Sequence, residues 1–372
     1  MSIPYKLLFM CMMTIALAFG FLALLYPHET YSYERLHIFL FNLCAGCSIL
    51  LHYTDPQEEK LSPKVRWFLL LAVIYALCAF MEVYLPVLLI TPFLAGIVET
   101  IRIRKFSFFP ADFFRKNVPT SEKFHHAALL CLSLGLVIAG LVIINTEFYH
   151  FVTIPKLELN LFFLGYSFPL SLITMSLVFS IMENHSGRVG FLKNAAFWLI
   201  NLGVIIFFGF ILAEVFLPQV AVSTVLFASV IMVFYLFVRL GKNLQQKQFL
   251  ISGMGFLMVT SITGIVYIFL EFAPGYDIDR LVWLMRLHSF AALYGWNLCG
   301  LAIICRYNDF PIQLHSKRTI ALHWMTVVIL APLGCYDPAI AVMATISYAV
   351  YLYIVLFSKA DRRHGETTAA GL

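Results

Sequence analysis

The 372-residue sequence predicts an all-α, polytopic membrane protein of about twelve transmembrane helices. Three observations carry that prediction. Hydrophobic residues make up 61% of the chain and charged residues 12%, with a mean hydropathy of +0.88, so there is too little polar surface to coat a water-soluble globule. The apolar residues also come in blocks of roughly 17 to 25, the length that crosses a bilayer as a helix. Finally, the basic residues fall on alternate loops, as the positive-inside rule requires of a correct topology.

In chain order the runs lie near 6–25, 36–54, 66–84, 85–101, 127–145, 159–181, 194–213, 219–238, 249–271, 283–305, 319–335 and 338–357. The first, "KLLFMCMMTIALAFGFLALLY", is long enough to span and ends in no small-residue cleavage pattern, so it reads as a membrane helix rather than a secretory signal. The third and fourth are separated only by "MEVYLPVLL", with a turn expected at Pro86. The sixth contains Pro169, a candidate break, and the eleventh is short and ends at Pro332.

With the N-terminus in the cytoplasm, every Lys and Arg except Arg35, Lys156, Arg280 and Arg286 falls on the inner side. Both termini are therefore expected to be cytoplasmic. The longest polar stretch, "IRIRKFSFFPADFFRKNVPTSEK", alternates bases with Phe. It reads either as a segment lying on the cytoplasmic membrane face or as a loop with interfacial aromatics. No linker, low-complexity tract or soluble domain interrupts the pattern, so residues 1–372 form a single integral membrane domain. The lipid bilayer is the expected partner. The net charge of +5 is spent on topology and does not point to nucleic acid.

Most of the eight Cys lie within apolar runs, where a thiol acts as a small hydrophobe and no disulfide framework is implied. Cys44 and Cys47, a C-x-x-C inside the second run, are read in the same way. The Ser and Thr residues of the sixth and ninth runs suit helix packing. No phosphate-binding loop, G-x-S-x-G elbow or H-E-x-x-H is present, which excludes those soluble-type catalytic machineries.

One repeat stands out. "YERLHIF" opens the second run and "LMRLHSF" the tenth, and both runs are even-numbered, so both enter from the outer face. His37 and His288 thus fall at one membrane depth, each preceded by two residues by an arginine, Arg35 or Arg286. A lone His at a membrane edge is ordinarily an interfacial residue bonded to water or a headgroup. A matched pair of costly ionisable residues points to function. Two neutral imidazoles at one level, one from each side, are what a heme iron needs, and arginines nearer the water suit its propionates. Ala45 and Gly46 after His37, and Ala291, Ala292 and Gly295 after His288, are small enough to admit a flat macrocycle. The carboxylates at the same face, Glu34, Glu82, Glu214, Glu271, Asp277 and Asp279, either hold the histidine nitrogens or are loop charges. At the inner ends, His52, His126 and His323 are either interfacial or the ligands of a second heme.

Twelve helices with "RLHIFLFN" opening the second and "LHSFAALYGWNLCG" in the tenth resemble the catalytic subunit of the heme-copper oxidase superfamily, nearest its nitric oxide reductase and C-type oxidase branches. The resemblance covers the helix count and these two short motifs. It implies a subunit I-like bundle, residence in a bacterial cytoplasmic (inner) membrane, and one low-spin heme b with His37 and His288 as its iron ligands. Electron transport, or redox or gas sensing, would be the role, with a quinol or cytochrome donor and a redox partner subunit.

The departures are as informative. Arg286 stands where the family carries the His of its high-spin heme, and the sixth and seventh runs have no His to hold copper or non-heme iron. The His125-His126 pair lies on the wrong face for that site. The resemblance therefore implies a degenerate relative without copper and without an oxygen- or nitric oxide-reducing centre, not a complete terminal oxidase. The rival readings are a twelve-helix permease, which predicts inverted repeats with broken helices, and a cofactor-free assembly or scaffold subunit.

Overall fold

The computed structural model describes residues 1–28, 30–58, 60–153, 156–157, 162–182, 187–273, 277–307 and 316–359. Within these the chain is helical throughout, and the only β features are two isolated bridges, Gln57 with Lys60 and Met182 with Gly241. Backbone N–H and C=O groups in a bilayer must be satisfied within the segment itself, so the apolar runs have no alternative to helix. Eleven helices among the described residues are long and apolar enough to cross a membrane, and the protein is an integral membrane helical bundle.

They are α1 (Ile3–Leu25), α2 (Tyr33–Thr54), α3 (Pro63–Phe80), α4 (Tyr84–Lys105), α5 (Thr120–Tyr149), α6 (Phe163–Ile181), α7 (Arg188–Leu212), α8 (Phe216–Leu240), α9 (Gln245–Glu271), α10 (Val282–Cys305) and α12 (Pro338–Phe357). The expected eleventh span is helical but not among them. This α11 is built of Lys317–Trp324, Met325–Leu330 and Ala331–Gly334, and its opening Lys317 and Arg318 lower its apolarity. Arg280, Asp279, Arg362 and Arg363, used above in the charge count or as candidate carboxylates, lie outside the residues whose side chains are described.

The turns follow local chemistry. Ser32 and Ser62 cap α2 and α3 by accepting from Arg35 N–H at 3.3 Å and Val65 N–H at 3.4 Å, and Asp337 caps α12 by accepting from Ala339 N–H at 2.7 Å. The turn between α3 and α4 is made by Glu82 in the left-handed region (φ 58°), while Pro86 sits inside the first turn of α4, where its missing N–H costs nothing. Glu214 (φ 52°) makes the corresponding turn between α7 and α8.

Neither Pro169 nor Pro332 breaks its helix. Each follows directly on a π-helical turn, Phe163–Ser167 in α6 and Met325–Leu330 in α11, whose wider winding takes up the proline's missing donor and ring bulk. The 101–123 stretch is a tethered loop. Phe108, Phe109 and Phe114 project outward, Lys123 Nζ donates to Phe113 O at 3.0 Å, and buried Arg102 donates to the Ser107 and Phe108 carbonyls.

Sequence neighbours pack side by side around the bundle, and α2, α6 and α10 run through its centre. In each of those three, 78% of the apolar window is buried, against 17% in peripheral α7. All three carry a π-turn: Phe39–Cys47 in α2, Phe163–Ser167 in α6 and Ala291–Asn297 in α10. On one side, α1 packs on α2 and α12, α12 on α11, and α11 on α10. The C-terminal segments of α2 and α10, Ser48–Thr54 and Leu298–Cys305, pack on each other and close this ring. Its interior is aromatic. Tyr294 meets Phe41 and Tyr348 edge-on at ring-centroid distances of 4.8 and 5.1 Å, and His323 stacks on Tyr351 at 4.2 Å.

Candidate functional site

His37 is in the first turns of α2, just before its π-turn, and its imidazole lies against α1. Nδ1 is 2.8 Å from the Ala16 carbonyl oxygen, and the ring rests on Gly20, one helical turn further along α1. A Cβ at Gly20 would stand 2.8 Å from Nδ1 and 3.0 Å from Cε1, so only glycine leaves room for the ring. His288 repeats the arrangement on α10 against α9. Its Nδ1 is 2.9 Å from the Thr260 carbonyl oxygen, and a Cβ at Gly264 would meet Cε1 at 3.1 Å and Nδ1 at 3.4 Å. In both copies the carbonyl and the glycine are four residues apart on the preceding helix, which places them on one face.

A carbonyl oxygen only accepts, so the contacts of 2.8 and 2.9 Å to one are made when Nδ1 carries the proton, and each Nε2 then has the lone pair; at His37 the Tyr294 hydroxyl, 3.0 Å from the same Nδ1, is a rival donor. Neither Nε2 has a hydrogen-bond partner, and neither is sealed in packing as Nδ1 of His52 and Nδ1 of His126 are. Both residues are half-buried, with their rings deep among protein atoms. With the proton on Nδ1 this is the tautomer and presentation of a metal-ligating histidine, whose other nitrogen is fixed by a carbonyl.

A hydroxyl stands by each Nδ1 as a second neighbour: Tyr294 Oη at 3.0 Å from that of His37, and Thr263 Oγ1 at 3.3 Å from that of His288. Tyr294 belongs to the π-turn of α10, so the helix that carries one histidine reaches across to the other.

The two arginines differ. Arg35 donates from Nη1 to Tyr84 Oη at 2.6 Å, lies over the Tyr84 ring and is 3.6 Å from Glu82 Oε1. Arg286 has no carboxylate partner. It lies over the Tyr336 ring at 4.9 Å, its Nη1 is 3.4 Å from the Cys335 carbonyl oxygen, and its Nε is buried without a partner.

The remaining candidates resolve into structural roles. Glu271 and Glu214 take Lys156, at 2.6 and 3.8 Å, and Glu82 takes Arg35; backbone carbonyls, not carboxylates, hold the two histidines. His323 Nε2 donates to the Tyr294 carbonyl oxygen at 2.7 Å and its Nδ1 accepts from Tyr351 Oη at 3.0 Å, which leaves no nitrogen for a metal. His126 Nε2 accepts from Arg102 Nη1 at 2.7 Å, with Arg102 also bound to both Glu99 oxygens. His125 Nε2 donates to Thr54 Oγ1 at 2.8 Å. A second heme at the inner face would have to dismantle this network. Gly46 and Gly295 serve close helix approach rather than an open slot, facing Leu170 of α6 and Phe256 of α9.

The residues that sequence reasoning passed over are Gly20, Gly264 and Tyr294, together with the carbonyls of Ala16 and Thr260; Thr263 was read only as a helix-packing residue. Among the described residues no cluster of three or more His, Cys, Asp or Glu could hold a bare metal ion. Compared with protein-family models, curated proteins and solved structures, the chain has no match.

Proposed function

We propose that this is a membrane heme b protein in which the Nε2 atoms of His37 and His288 hold one low-spin heme, for electron transfer or redox sensing. The observation that supports this best is the shared seating of the two rings, each with Nδ1 beside a backbone carbonyl of the preceding helix and Nε2 without a hydrogen-bond partner. A donor set of two neutral imidazoles and a nearby uncompensated guanidinium fits the iron and carboxylates of heme. The Arg286 side chain, with an unpartnered buried Nε, would meet a propionate, and Arg35 would do so beside Glu82.

Heme b, when bound, would supply a one-electron couple, and His37 and His288 are the residues that would hold its iron. This chain's residues do the rest. Ala16 and Thr260 hold the ring orientation, and Gly20 and Gly264 let each ring lie flat on its neighbouring helix. The aromatic lining around Tyr294 keeps water from the ring interior. The reading includes no copper and no oxygen- or nitric oxide-reducing centre, because α6 and α7 contain no His and Arg286 precedes His288 by two residues. A quinol or a cytochrome would be the electron donor, a redox subunit a further partner, and a bacterial inner membrane with both termini cytoplasmic the setting.

The test is the optical spectrum of the purified, dithionite-reduced protein beside His37→Ala and His288→Ala. Sharp b-type bands in the wild type, lost in both variants, are expected. A colourless wild type made with heme in ample supply would overturn the reading in favour of a permease or a cofactor-free scaffold.

A further inference from the structure

The second neighbours of the two Nδ1 atoms are not equivalent. Thr263 Oγ1 has its own carbonyl acceptors, Val259 O at 2.8 Å and Thr260 O at 3.0 Å, so its proton is committed and it only accepts from His288. His288 therefore has one tautomer, with the proton on Nδ1 and Nε2 open. Tyr294 Oη has no partner other than His37 Nδ1, and the residue is 1% exposed.

Two groups thus compete for one nitrogen. When Nδ1–H donates to Ala16 O, the Tyr294 hydroxyl proton is left buried without an acceptor, a situation that costs on the order of 1 to 3 kcal/mol. When Tyr294 donates to Nδ1, the proton moves to Nε2, the Nδ1 lone pair faces the Ala16 oxygen, and Nε2 is no longer a ligand. Ala16 O keeps the helix bond from Gly20 N–H in either case.

Resting on the heme reading above, we propose that Tyr294 is a positioning residue that sets the tautomer of His37, and with it the fraction of protein ready to bind iron. His37 is the gated ligand and His288 the standing one. Binding drawn from a partly populated competent state is weakened by the inverse of that fraction. Tyr294→Phe removes the competing donor and keeps the ring, so it should raise heme affinity by the factor that the tautomer ratio dictates.

The experiment is ¹⁵N solid-state NMR of the full-length apoprotein in bilayers with labelled histidine, the His37 signals being assigned by their loss in His37→Ala. Wild type should show both His37 tautomers, Tyr294→Phe only the Nδ1–H form, and Thr263→Val no change at His37. Heme titration against a competing heme-binding protein should then give Tyr294→Phe an affinity gain equal to the inverse of the wild-type competent fraction. A single Nδ1–H tautomer in the wild type, or the same mixture in Tyr294→Phe, overturns the proposal. If the wild type takes up no heme, the NMR still decides the role of Tyr294, and only the functional reading falls.

Discussion

The surroundings of His37 and of His288 solve the same problem on different helices and differ in how firmly they solve it. Each lays an imidazole on a glycine of the preceding helix and ties Nδ1 to the carbonyl four residues away. On the His288 side the second neighbour is a committed acceptor and the arginine is left without a counter-charge. On the His37 side the second neighbour is a competing donor, and the arginine is already held by Tyr84 and Glu82. One half is settled at the imidazole and open at the guanidinium; the other is the reverse.

On the heme reading, loss of either histidine is the largest expected effect, as set out above, since it would remove one of the two proposed iron ligands. The glycines come next. Gly20→Ala puts a methyl 2.8 Å from His37 Nδ1 and must push the ring off Ala16, whereas Gly264→Ala meets His288 no closer than 3.1 Å. Disrupting what orients a ligand costs roughly 10- to 100-fold in affinity, so Gly20→Ala should weaken heme binding by about tenfold or more and Gly264→Ala by clearly less. Heme titration of the two variants checks this, and the reverse order would break the comparison.

His323→Leu is the contrast from the same ring of helices. It strands the Tyr294 carbonyl and the Tyr351 hydroxyl in the core and should destabilise the protein by about 2 kcal/mol, with the b-type bands kept. Loss of those bands in a folded variant would show that His323 does more than brace Tyr294.

The arginines give the smallest and most diagnostic effects. Arg35→Gln should lower apoprotein stability by up to about 1 kcal/mol, since Glu82 is well exposed and the pair is screened. Arg286→Gln removes a cation with no counter-charge and should leave apoprotein stability unchanged while weakening heme retention more than Arg35→Gln does. Thermal unfolding of the apo and loaded forms measures both, and equal losses in the apo form would refute the asymmetry.

The bundle was legible in the sequence because bilayer helices announce themselves by length and apolarity. The repeat marked His37 and His288 in the sequence, and the structure adds that each ring lies on a glycine and a carbonyl of the preceding helix. Those supporting contacts were not legible. Gly20 and Gly264 sit in long apolar helices among many small residues, and nothing in their immediate sequence marks them as the seats of a ring on another helix. Gly46 and Gly295, nearer the histidines in sequence, drew attention for that nearness but turn to Leu170 and Phe256. Pro169 and Pro332 looked like breaks because proline is judged against α-helical winding, and π-turns have no compositional signature.

Those π-turns also separate the chemistry from the architecture. A π-turn holds one residue more than the α-turn it replaces, so Phe39–Cys47 and Ala291–Asn297 absorb an extra residue between the histidine turn and the remainder of each helix. The wide turn also carries the close helix contacts, Gly46 on Leu170 and Gly295 on Phe256. Removing one residue there would turn the wide turn into an α-turn and leave both ends of α2 or α10 in register, whereas the same loss from a straight helix would rotate one end against the other by about 100°.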